Sequence, residues 1–125
     1  MTTIDYLQIE GLVSNTCVPY AEKVNQCSYR CSDPAQPIER FYCEIGSFKV
    51  MTTHEEIIQE LIKNGPMMVG LMIFEDFMSY AEGIYVQTTG QMIGGHAMKL
   101  IGFGEDEDLG LYWVLQNQWT TEWGE

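Results

Sequence analysis

Apolar and polar positions change rhythm several times along the chain. Ile4, Tyr6, Leu7 and Ile9 recur at helical spacing before Gly11, which predicts the last turns of a helix over residues 4–12, closed by glycine. So close to Met1, such a helix reads as cut off from an earlier stretch. Ile57, Ile58, Leu61 and Ile62 repeat with a second helical period. Thr53 and Glu56 ahead of them form a capping box, and Asn64-Gly65-Pro66 stops the helix. Met67–Ile73 and Gly83–Gln87 are apolar runs of strand length, and Phe74–Tyr80 between them fits one helical turn with Phe77 inward. Residues 88–95 read as a loop. Met98–Phe103 and Leu111–Leu115 are two further strands, joined through the acidic turn Glu105–Asp108 as a hairpin.

Residues 14–47 break this pattern. They hold all four cysteines (Cys17, Cys27, Cys31, Cys43) and three of the four prolines, a loop composition that buries little apolar surface. Crosslinks are the expected source of order there, which points to disulfides and an oxidising compartment. Zinc is the rival reading of Cys27-x-x-x-Cys31, but no second Cys/His pair follows at useful distance, so no metal or cofactor is expected. The chain has 46% hydrophobic residues and is long enough for a modest core. Its net charge of −12 disfavours nucleic acid and anionic membrane as partners, and no apolar run reaches transmembrane length.

The candidate chemistry lies around the hairpin. Antiparallel pairing carries the end of its second strand back beside the start of its first, which brings Asn117 next to His96. An imidazole oriented by a carboxamide is the base-plus-orienter part of a Cys-His-Asn constellation. Gly94 and Gly95, lacking Cβ atoms, let the backbone before His96 approach a substrate closely. His54 has no partner histidine four residues on and reads as a solvated first-turn residue. Met67, Met68, Met72 and Met78 read as core filler.

Gly94-Gly95-His96-Ala97, a strand pair with Tyr112-Trp113-Val114, then Asn117-Gln118-Trp119 and Trp123-Gly124, resemble the papain family of cysteine proteases, on its cathepsin B-like side. Cys17-Val18-Pro19-Tyr20, Asn64-Gly65-Pro66, Asp76-Phe77 and Gly83-Ile84-Tyr85 extend the resemblance along the chain. It implies an α+β fold: a papain-like right-hand domain with an antiparallel, barrel-like β-sheet, one well-defined helix and a disulfide-rich N-terminal loop region. Residues 1–13 would end an inter-domain helix, 14–47 form the cysteine-rich loops, and 48–125 form the β-rich domain. His96 is then the catalytic base and Asn117 holds its ring. Trp119 covers their hydrogen bond and borders the leaving-group side of the cleft. Gly70 and Ala97 match positions lining the second specificity pocket. Gly70, Gly94, Gly95, Ala97 and Trp119 are therefore the expected substrate-binding residues. The resemblance pairs Cys17 with Cys31 and sends Cys27 to a partner in another domain; a Cys27–Cys43 bridge stays open as an alternative. Only Ala21–Gln26 separate Tyr20 from Cys27, so the occluding loop of mammalian cathepsin B reads as absent.

The sequence departs from the family in two respects. Gln118 stands where Ser is usual, and no Cys-Gly-x-Cys-Trp segment occurs, so the nucleophile has to come from elsewhere. The leading expectation is part of a cathepsin B-like endopeptidase that acts on polypeptides beside a Cys-bearing domain or chain, in a lysosome- or vacuole-like compartment or secreted. This chain alone should be inactive. The rival is a papain-like fragment kept as a structural or interaction subunit. Retained His96 and Asn117 favour the first, Gln118 and the open N-terminal helix the second.

Overall fold

A computed structural model describes residues 2–21, 23 and 29–125. The chain divides into two compact units, Met1–Val50 and Met51–Glu125, each described by itself.

In the first unit, helix α1 (Thr3–Ile9) carries a capping box: the Thr2 hydroxyl accepts from the Asp5 N–H and the Asp5 carboxylate accepts from the Thr2 N–H. The N–H groups of Glu10 and Gly11 both donate to the Tyr6 carbonyl, and Gly11 at φ +71° turns the chain out of the helix. A Cβ there would sit 2.9 Å from the Phe41 carbonyl oxygen, so the close Leu12–Phe41 bridge also needs glycine. Cys17 and Cys31 form the implied disulfide and are the buried hydrophobic side chains of this unit among the described residues. Closing a loop of this size stabilises by about 3 kcal/mol through the unfolded chain, and little else here is buried. Cys43 is exposed and carries no disulfide among the described residues; Cys27, and with it the Cys27–Cys43 alternative and the expected absence of the occluding loop after Tyr20, lies outside the described residues.

The second unit holds helix α2 (His54–Asn64), strand β1 (Met67–Phe74), a 3-10 turn (Glu75–Ser79), strand β2 (Met92–Asp106) and strand β3 (Gly110–Gln116). Thr53 and Glu56 form the predicted capping box of α2. Its apolar stripe is narrower than expected: Leu61 is buried, but Ile62 is 72% exposed. His54 is exposed, yet its ring meets Trp113 edge-on with centroids 5.7 Å apart, so it is not purely solvated.

The sheet is antiparallel, as expected, and among the described residues has three strands in the order β1-β2-β3. β2 starts at Met92, six residues before the predicted strand, and Gly94-Gly95-His96 lie inside it opposite Ile73, Met72 and Leu71. Flexible glycines obscured the strand pattern there. Gly83–Gln87, read as a strand, is loop: an apolar run becomes a strand only if a neighbour supplies the ladder, and among the described residues none does.

Ile73, Phe77 and Met98 form the core, with Val69, Leu71, Tyr85, Leu115, Trp119 and Trp123 packed around them. Phe77 points inward as predicted. Because side chains alternate across a strand, the other face of β1 leaves Met68 and Met72 largely exposed, and Met78 is exposed too. The buried methionine is Met98, not one of the four expected as core filler.

Candidate active site

β2 and β3 set the geometry. Lys99 lies opposite Gln116, the last residue of β3, so Asn117 leaves the ladder facing back along β2 toward His96. The Asn117 Oδ1 lies 2.9 Å from His96 Nε2. The Gln118 backbone N–H also donates to Oδ1, at 2.9 Å. This second contact fixes the chemistry, because a main-chain N–H only donates and the atom facing it has to be oxygen. His96 Nε2 is therefore the donor to Asn117, and in the neutral ring Nδ1 carries the free lone pair. A flipped amide would aim NH2 at the Gln118 N–H. The orientation adopted leaves Asn117 Nδ2 buried without a partner among the described residues, a cost of about 1–3 kcal/mol.

Trp119 covers the pair: its ring lies 4.7 Å from the His96 ring, tilted by 30°. Trp119 is held in turn edge-on to Phe77 and Trp123, and Trp123 Nε1 donates to the Phe77 carbonyl at 3.1 Å. This apolar roof shields the hydrogen bond from water, which strengthens it.

Ala97 lines a cavity of about 580 Å³ beside the pair, together with Pro66, Met67, Met68, Asn117 and Gln118. Gly70 lies opposite Ala97 in the ladder but is not part of this lining. Gly94 and Gly95 belong to the strand that carries His96, not to a loop. The Gln118 side chain, to which no role had been assigned, donates to the Ala97 carbonyl at 3.2 Å.

A second polar cluster escaped the sequence, although Asp76-Phe77 marked its place. One oxygen of Asp76 accepts from the Tyr85 hydroxyl at 2.5 Å, the other from the N–H groups of Thr88 and Thr89 at 2.9 and 3.1 Å. The Tyr85 hydrogen bond, then the Thr88 N–H, bring the Asp76 carboxyl down to about 2. Desolvation, then the bond to Asp76, push the Tyr85 phenol up to about 12. Among the described residues, no group of three or more His, Cys, Asp or Glu is placed to hold a metal ion, and no helix is long and apolar enough to cross a membrane.

Comparison with known proteins supplies the remaining evidence. The sequence matches the papain family of cysteine proteases over residues 1–125. Cathepsin B-like protease 1 of Arabidopsis thaliana is 34% identical, over 96% of this chain and 35% of that protein. Cathepsin B of Dictyostelium discoideum is 35% identical, over 97% of this chain and 43% of that one. The solved structure of proCathepsin B S9 from Trypanosoma congolense aligns with a TM-score of 0.78 and 27% identity, covering 97% of this chain and 43% of that one. The chain thus spans about two fifths of the length of these relatives.

Proposed function

Since this chain belongs to the papain family of cysteine proteases, we infer that it supplies the base and its orienting amide to a cathepsin B-like peptidase whose thiol lies outside these residues. The observation that carries this reading is the His96–Asn117 hydrogen bond, with Oδ1 assigned by the Gln118 N–H. Nδ1 of His96 takes the proton of an incoming thiol, forming a thiolate–imidazolium pair that attacks a peptide carbonyl. The imidazolium then protonates the leaving amine. Asn117 keeps the ring from turning between these steps, and Trp119 keeps water from the bond that holds it.

The substrate class is polypeptide. Ala97 and the cavity beside it suit a substrate side chain, and Gly94 and Gly95 a closely approaching substrate backbone. The Cys17–Cys31 disulfide fits an oxidising compartment, lysosome- or vacuole-like or extracellular. Residues 1–13, 14–47 and 48–125 keep the division into inter-domain helix, cysteine-rich loops and β-rich domain. No Cys-Gly-x-Cys-Trp segment occurs in the sequence, which favours inactivity of the chain alone and keeps a second reading open, a papain-like structural or interaction subunit.

Intact-mass analysis of the natively purified protein, with and without reductant, tests this together with labelling by an epoxysuccinyl thiol-protease inhibitor. A second chain or covalently continuous segment that takes the label is the expected result. An unlabelled species near 14.3 kDa alone would favour the structural subunit.

A further inference from the structure

Three consecutive residues of the 3-10 turn hold three different segments of the site. Glu75 exchanges two hydrogen bonds with Gln91: its N–H donates to the Gln91 carbonyl, and its side chain accepts from the Gln91 N–H, each at 3.1 Å. Asp76 gathers the Tyr85 hydroxyl and the N–H groups of Thr88 and Thr89. Phe77 receives the Trp123 indole on its carbonyl and packs its ring against Trp119, the residue over His96.

The first two grips lie just ahead of a change of register. Phe74 pairs with Met92 and Ile73 with Gly94, so Ile93 is an extra residue on β2. From Gly94 to Leu100 the pairing of β2 with β1 is regular, and the placement of the bulge decides which face receives His96. A slip of one residue would carry the imidazole to the opposite face, away from Asn117 and Trp119. The loop is shaped to its grip as well: Gly90 has φ +87°, and a Cβ there would fall 2.7 Å from the Glu75 Cβ.

We propose that Asp76 is a positioning residue for the His96–Asn117 pair, acting through the 85–91 loop that its carboxylate ties to the 3-10 turn and through the bulged start of β2. This inference rests on the reading of His96 and Asn117 as base and orienter. Four donors from two parts of one loop converge on a single carboxylate: the Tyr85 hydroxyl, the Thr88 and Thr89 N–H groups and, at 3.4 Å, the Thr88 hydroxyl. Without it the Thr88 and Thr89 N–H groups lose the acceptor the structure gives them, and the segment entering the bulge is released.

The chain has two histidines, so imidazole NMR reports on His96 with His54 as internal reference. In the 15N-labelled chain, above the usual histidine titration range, His96 should show the Nε2–H tautomer and a ring-current displacement from Trp119. Asp76→Ala should cost both signatures while His54 stays in place. Asp76→Asn should restore most of them, since its amide oxygen accepts the two N–H groups and its NH2 donates to the Tyr85 oxygen. Tyr85→Phe should move His96 the same way by less, and it decides the matter if Asp76→Ala does not fold. A lowered melting temperature with His96 unmoved in whichever of Asp76→Ala and Tyr85→Phe folds would overturn the proposal, leaving Asp76 a structural residue. Asn117→Ala separates the two levels: if it too leaves the His96 tautomer unchanged, the reading of the pair itself fails.

Discussion

With Nε2 of His96 engaged by Asn117, the ring has one nitrogen left for chemistry, and removing the ring differs from removing its holder. On the proposed reading, His96→Ala in a protease completed by a thiol-bearing part should lower kcat/KM on peptide substrates by about 10²–10⁴-fold, the usual contribution of a general base. Asn117→Ala should lose less, because the imidazole remains and only its orientation is freed. Equal losses from both would argue against a separate orienting role. Asp76 gives a pH prediction at the same scale. Its folded-state value of about 2 lies below the ordinary 3.8, so its stabilising contribution is present above the unfolded value and is lost as pH falls through about 2. Tyr85 is raised from 10.0 to about 12, so its contribution is present below 10 and lost as pH rises through about 12. The Asp76–Tyr85 contact should therefore hold across the mildly acidic range. Urea midpoints followed from neutral pH to pH 4 should show no loss attributable to it, and Asp76→Asn should remove the decline that Asp76 adds below that.

At the scale of elements, the sheet depends on few buried side chains. Leu100, 2% exposed on β2 opposite Met67 and Leu115, is the most completely buried of them in this unit. Leu100→Ala should cost about 2–5 kcal/mol, read as a lowered urea midpoint with the m-value unchanged. A loss below 1 kcal/mol would mean that the site collapses around the gap. What the sequence revealed at this scale followed from local chemistry. The α2 capping box needs only Thr53 and Glu56, and the β2–β3 hairpin only two apolar runs with a polar turn. That hairpin was enough to bring Asn117 to His96. The early start of β2 and the loop at Gly83–Gln87 were not legible, because the first depends on β1 as a partner and the second on the want of one. The Asp76 grip was hidden for a related reason: its donors lie 9 to 13 residues away, and two of them are backbone N–H groups, which leave no trace in residue type.

For the molecule as a whole, charge and apolar exposure act in opposite senses. Eighteen acidic against six basic residues give −12 at neutral pH, with a pI near 4.3. That repulsion offsets the association invited by Met68, Met72 and other exposed apolar side chains. Turbidity and light scattering of the isolated chain should therefore peak near pH 4.3 and fall on either side. A chain that stays monodisperse through that pH would show the exposed apolar surface to be harmless on its own.

The Gln118 N–H has a bearing on mutational tolerance. The oxygen of Asn117 is identified to His96 by a hydrogen that belongs to the main chain, so the identity of side chain 118 does not enter. Glutamine here, or the serine usual in the family, leaves the same ring nitrogen bare. Nineteen of the twenty amino acids carry that hydrogen and proline does not. Position 118 is thus permissive for sequence drift with one forbidden residue, and Gln118→Pro should disorder the His96 tautomer where Gln118→Ser leaves it intact.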